Sequence, residues 1–256
     1  MIGVFRAREY IAFLGSSHGF CRALWVAWIG VMPTPVRAGA PAVKGVSLAE
    51  TAVLQQWLNH ATNLTSWHAE VLQTRHLKAL TQPLTSLGQV WYVAPDRFRW
   101  ELGRPPQSLV LREGNELLML SPRLKRAERF SLSKVAPGPM QDALSLLDTG
   151  FPQDAAEFQQ NFQLLAVLTN QPSAQGLLHA FRLQPHAAGA RRFLPEIRVE
   201  VAATDLQLVA TELSFADGSR LRNDFTDAQV NPPLESGLFR TNLDASWKIV
   251  APVSPK

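Results

Sequence analysis

Beyond residue 40 this chain has no cysteine. The single cysteine of the 256 residues is Cys21, so the bulk of the protein has neither a disulfide nor thiol chemistry. The chain also lacks a Gly-x-Ser-x-Gly elbow and a glycine-rich phosphate loop. His68 and His76 share parity on one expected strand, eight positions apart, or ~26 Å when extended. Glu70 and Lys78 share that parity, so the face reads as solvated. His60, His179 and His186 have no carboxylate or cysteine neighbour at metal-ligand spacing. Asp148, Asp154 and Glu157 read as acids for proton transfer or, equally, as helix caps. These absences weigh against an enzyme, and no metal or cofactor is expected.

An excess of one charge is missing too. The net charge of +4 is concentrated at the amino terminus. Four arginines (6, 8, 22 and 37) and one acid (Glu9) lie in residues 1–38, which leaves 21 basic against 20 acidic residues. Nucleic-acid binding needs a concentrated basic footprint, and none remains. The one local cluster, Arg123, Lys125, Arg126 and Arg129, reads as a solvated loop or edge strand, with an acidic partner or an anionic lipid surface as the alternative.

Residues 1–38 have a signal-peptide pattern: early arginines, an apolar run from Ala23 to Met32, then Pro33, Pro35 and small residues. Cleavage is expected after Ala38. The run falls short of the ~20 apolar residues of a spanning helix; an uncleaved anchor is the alternative. Cys21 follows Ser17-His18-Gly19-Phe20, with the main apolar run downstream of it, which argues against lipid attachment. The expected organisation is a secretory signal, then one domain over 39–256.

What is present is alternation. In the stretch from Gly88 to Leu102, two strand-like runs meet at Ala94-Pro95-Asp96. Phe98, Trp100 and Leu102 point one way and Arg97, Arg99 and Glu101 the other, as on a strand with one dry and one wet face. Residues 47–64 predict a helix with a Ser47/Glu50 capping box and a stripe of Leu48, Ala52, Val53, Trp57 and Leu58, widened by Leu54, Ala61 and Leu64. Strands are expected from Trp67 to about Leu80, over 108–112 and 116–120, at a polar edge over 123–132, and over 177–184, 194–202, 206–215 and 220–230. Pro83 to Leu87 reads as a connection. Met140 to Leu147 suggests a short helix, and 154–168 a helix whose second half also fits a strand. The sum is an α+β fold: about ten strands in one highly curved antiparallel sheet, an incomplete β-barrel with helices covering the concave side. Large apolar side chains on such a sheet suit either a packed core or a cavity for an apolar ligand. Composition alone favours the core.

The order of these motifs resembles the LolA-like outer-membrane lipoprotein carrier family. Gly88-x-Val-Trp-Tyr-Val-x-Pro-Asp-Arg-Phe-Arg-Trp-Glu is similar to the family's Gly-x-Leu-Trp-x-x-Arg-Pro-x-x-Phe-Arg-Trp-Glu. Trp67, Ala69, Val71 and Gln73 resemble its first strand, and Gly114 with Leu117 to Pro122 its central hairpin. Asp217-Gly218, Phe225, Asn231, Leu234 and Phe239 resemble its carboxy-terminal part. The resemblance implies a periplasmic monomer, acting without covalent chemistry, that takes acyl chains of a lipoprotein or other lipid into an apolar cavity. It further implies an inner-membrane releasing transporter or exporter and an outer-membrane acceptor as partners. The implied cavity residues are Trp57, Trp67, Val71, Phe98, Trp100, Leu102, Leu118 and Leu120. The family's lid-locking arginine is replaced here by Ala94. Other readings of the same fold are a sensory or structural envelope module and a glycolipid or pigment carrier.

Overall fold

A computed structural model describes residues 48–131 and 150–250. The expected signal, the Ser47 cap and the expected helix over 140–147 lie outside the described residues. Helix α1 spans Leu48–Ala61. Strands β1 (Ser66–His76), β2 (Leu84–Val93), β3 (Arg97–Leu102), β4 (Ser108–Glu113), β5 (Glu116–Ser121) and β6 (Arg126–Ser131) follow as an antiparallel meander. Helix α2 (Ala155–Asn161) leads into β7 (Phe162–Ser173) and β8 (Gly176–Pro185). Helix α3 (Ala188–Phe193) separates these from β9 (Glu196–Ala202), β10 (Leu208–Ser214) and β11 (Arg220–Val230), and the short β12 (Lys248–Val250) comes last.

The twelve strands form one sheet in the order β12-β6-β5-β4-β3-β2-β1-β11-β10-β9-β8-β7. The two meanders meet where β1 pairs β11. Laid flat, twelve strands would extend ~50 Å across. Yet Phe130 of β6 and Phe181 of β8 belong to one buried cluster, so the sheet curls round and brings distant strands to a common interior. It does not close, since β7 and β12 form its two ends. The tight curl is visible at Gly88, where any Cβ would collide with the Glu101 carbonyl oxygen on β3. A side chain there would push apart the two strands of the motif.

Several expectations need correction. The strand expected over 123–132 is observed at Arg126–Ser131 and is no edge: β12 runs parallel to β6, pairing Lys248 with Arg126 and Val250 with Glu128, so the sheet is mixed. Residues 84–87 are strand, because Leu84, Thr85, Ser86 and Leu87 pair with Arg75, Thr74, Gln73 and Leu72; the ladder with β1 overrides a weak local pattern. The 154–168 segment divides, with α2 capped by Asp154 (its carboxylate accepts from the Glu157 N–H at 2.8 Å) and β7 taking over at Phe162. The cap reading of Asp154 therefore holds. The buried side of α1 is carried by Leu54, Trp57, Leu58 and Ala61, while Leu48 is 92% exposed.

Candidate functional site: the aromatic interior

Strand alternation puts Trp67, Ala69 and Val71 of β1 on the inner face, beside Val90 and Tyr92 of β2 and Phe225 of β11. Phe98 of β3 pairs with Tyr92, and Trp100 with Val90. All but Trp100 are buried in the main cluster; Trp100, Leu102, Val110 and Met119 pack against it from the rim. From the far meander come Phe181, Leu183, Ile197, Val199 and Val201, each no more than 1% exposed. Helix α1 lies over this surface and drives Trp57 into it. The indole stacks on Phe181 at 5.2 Å and meets Phe158 of α2 edge-on at 5.7 Å. Trp67 is edge-on to Phe151 and Phe225. Helix side chains thus cover the apolar wall of the sheet.

A narrow cleft at the end of α1 is lined by Trp57, Ala61, Leu64 and Trp67 together with Leu206, Leu208 and Val230. His60 also lines it, with Nε2 buried and unpartnered. The chain from Gly150 onward is fastened beside this cleft. Phe151 stacks on Tyr92 at 4.5 Å. Gln153 donates to the Tyr92 hydroxyl and, at 3.0 Å, to the Phe151 carbonyl. Ala94, two residues beyond Tyr92, packs against the same core. The segment is fixed through Tyr92 and Gln153, with no arginine at 94.

Of the eight residues singled out from sequence, Trp57, Trp67, Val71 and Phe98 are brought together in the interior, and Trp100 and Leu102 join at its border. Leu118 and Leu120 are not with them. Leu118 pairs with Leu111 and Leu120 with Leu109, so both project from the opposite, outer face. There they form a second cluster with Leu109, Leu111 and Ala127, covered by Leu243 and Trp247 of the carboxy-terminal segment. Leu117 and Met119 are the inward residues of β5. Strand β5 is apolar on both faces, so alternation could not assign its sides. Sequence reasoning also missed Phe151 and Phe181. The signal for Phe181 was its parity with Leu183 and His179 on β8; Phe151 sits in no periodic element.

The outer face is less wet than its charges suggest. Arg99 donates to Glu101 and, at 2.8 Å, to the Leu238 carbonyl, and Arg97 lies over the Phe239 ring. The 3-10 turn Ser236–Phe239 therefore roofs what looked like a solvated side of β3. His68, also expected in solvent, stacks on Trp91 at 5.0 Å with its Nε2 buried. Burial pushes its pKa down against the opposing pull of Glu70. Farther round, Glu200 is only 5% exposed. It accepts from Arg198 at 2.6 Å and from Arg222 at 2.7 Å. Burial alone would raise its carboxyl, but the hydrogen bonds and charge of Arg222, with Arg198, outweigh that and hold it below the usual range.

The inner face carries a buried polar ladder. Gln73 Nε2 donates to Asn223 Oδ1 at 3.0 Å, and Asn223 Nδ2 donates to Thr211 Oγ1 at 3.1 Å, linking β1, β11 and β10. Among the described residues no group of His, Cys, Asp and Glu is placed to hold a metal ion, and no helix is long and apolar enough to cross a membrane.

Comparison with known proteins returns one family model, described as outer membrane lipoprotein carrier protein LolA, over residues 62–242. No curated protein matches the chain. Among solved structures, an uncharacterized conserved protein from Thermus thermophilus aligns with a TM-score of 0.47 at 13% identity, covering 78% of this chain and 99% of its own. A LolA superfamily protein from Nitrosomonas europaea aligns at 0.38 and 12% identity, with 73% and 97% covered. The Pseudomonas aeruginosa MucA/MucB complex gives 0.45 and 10%, with 76% and 61% covered.

Proposed function

From the premise that this chain belongs to the LolA family, whose model matches residues 62–242, we propose that it is a periplasmic carrier of acylated cargo. It takes the acyl chains of a lipoprotein or another lipid from an inner-membrane releasing transporter or exporter and delivers them to an outer-membrane acceptor. It works by sequestration, without covalent chemistry. The observation that carries this reading is the interior itself: an aromatic wall of Trp67, Phe98, Phe181 and Phe225, covered by Trp57 and Phe158 from two helices.

The arrangement gives the carrier a workable affinity. Transfer of an acyl chain from water gains ~0.8 kcal/mol per buried methylene, which for whole chains would make release too slow to be useful. Here the chain must displace α1 side chains that already bury themselves on the same wall. Only the difference between the two burials appears as binding energy, so a partner that favours the helix-down state can drive release. The cleft beside Trp57 and Trp67 is where an acyl chain first meets that wall.

Mass spectrometry of the protein isolated from the periplasm, without detergent, tests the reading. Co-purified acylated molecules are expected, together with uptake of a fluorescent fatty acid by the emptied protein. Absence of both would overturn it in favour of a protein-binding envelope module.

A further inference from the structure

The ladder of Gln73, Asn223 and Thr211 on the inner face is incomplete in one respect. Gln73 is 2% exposed and Asn223 5%. The Gln73 amide nitrogen is used on Asn223, and the Asn223 amide on Thr211. The Gln73 carbonyl oxygen, Oε1, is buried and accepts no hydrogen bond. A buried acceptor left unpaired costs ~1–3 kcal/mol, and most buried polar groups in folded proteins do find a partner. Its neighbours toward Trp67 are apolar: Val71 and Ala69 on β1, Val90 on β2 and Phe225 on β11. Gln73 and Trp67 stand six positions apart on one face of β1, ~20 Å along the strand, a span comparable to that of a long acyl chain.

We propose that the Gln73 carbonyl is a recognition point for the cargo's head, accepting a hydrogen bond from an N–H or O–H donor carried beside the acyl chain. The chain then lies along Val71, Ala69 and Trp67 toward the cleft. This rests on the carrier reading and narrows it: the protein discriminates by the presence of a donor at the head of the chain as well as by chain length. A ligand without that donor leaves Oε1 unpaired in both free and bound states and gains nothing from it. A ligand with the donor recovers the cost.

Two matched probe pairs test this by displacement of a fluorescent fatty acid. N-methylpalmitamide has an amide N–H that N,N-dimethylpalmitamide lacks. Methyl 2-hydroxypalmitate has a hydroxyl that methyl palmitate lacks. The wild-type protein is expected to prefer the donor-bearing member of at least one pair by about tenfold, roughly one charge-neutral buried hydrogen bond; which pair shows it identifies the donor. The Gln73→Met variant, with folding checked by near-ultraviolet circular dichroism, is expected to bind both members alike. Equal affinities within both pairs for the wild type, or a preference that survives Gln73→Met, would overturn the proposal and leave the carrier reading standing. Failure of all four probes to bind would overturn both.

Discussion

The sheet has an apolar cluster on each face, and the two differ in kind. The inner one is aromatic, spans strands from both meanders and is covered by helices, with Trp57 as the largest contribution from above. The outer one is small and aliphatic, made by Leu109, Leu111, Leu118, Leu120 and Ala127 from neighbouring strands under Leu243 and Trp247. Its cover is tied down by a strand ladder, since β12 pairs with β6. Helix α1 has no ladder to the sheet and holds on by side-chain packing. Packing can be exchanged for another apolar surface of similar size, whereas a ladder hydrogen bond has no such substitute in a lipid. Under the proposed function, that difference makes the inner face the exchangeable one.

Truncating each cover should expose the contrast most strongly. Trp57→Ala is expected to cost about 3–5 kcal/mol in urea unfolding, while Trp247→Ala, from a half-buried position, should cost about 1–2 kcal/mol. Saturating acyl ligand should stabilise the Trp57 variant by more than it stabilises the Trp247 variant, which gains only what the wild type gains. Equal rescue of both would dissolve the distinction between the faces.

A smaller effect belongs to the charged part of the outer face. Glu200→Gln should destabilise by about 2 kcal/mol, the scale of a hydrogen bond to a charged group. Because the native carboxyl is held below its ordinary value, its contribution is complete above the ordinary carboxylate pKa. It is lost as pH falls through the lowered native one. Denaturant midpoints from neutral to acid pH should therefore fall more for the wild type than for Glu200→Gln, while ligand affinity at neutral pH stays the same.

Affinity should divide along the same line. Trp100→Ser, at the rim of the interior, is expected to weaken an acyl probe about tenfold, and Leu118→Ser, on the outer cluster, should leave it within about twofold. Equilibrium titration of a fluorescent fatty acid checks both. The smallest effect expected is kinetic. Ala94→Arg adds a long donor beside the Tyr92 and Gln153 contact, and should slow uptake by a few-fold, an amount equivalent to about one surface hydrogen bond, in stopped-flow mixing. Unchanged rates would mean that position 94 takes no part in fastening the cover.

How far the sequence revealed this molecule depended on contrast between the faces of each strand. Where one face was charged, as at Phe98 and Trp100 against Arg97 and Arg99, the inward residues were assigned correctly. Where both faces were apolar, as on β5, parity carried no information, and Leu118 and Leu120 were placed inside in error. The covers were hardest to see. The carboxy-terminal segment packs Trp247 on the outer cluster and roofs the arginines of β3 through contacts between residues more than a hundred positions apart. Local pattern cannot report such contacts. Helix α1 was legible from its aromatic stripe, although its buried side lies nearer Leu54, Trp57 and Leu58 than Leu48. The Gln73 ladder was visible only as a polar residue continuing the Trp67, Ala69 and Val71 face of β1, and its meaning depends on register with β11.

Tryptophan quenching by a dibrominated fatty acid tests the central claim most directly, because the described tryptophans divide by face. Trp57, Trp67 and Trp100 belong to the interior or its rim, whereas Trp91 stacks on His68 and Trp247 covers the outer cluster. A Trp91→Phe/Trp247→Phe protein should be quenched as strongly as the wild type, and a protein with Phe at 57, 67 and 100 should lose the effect. Quenching that survives in the second protein and vanishes in the first would place the lipid on the outer face and contradict the account.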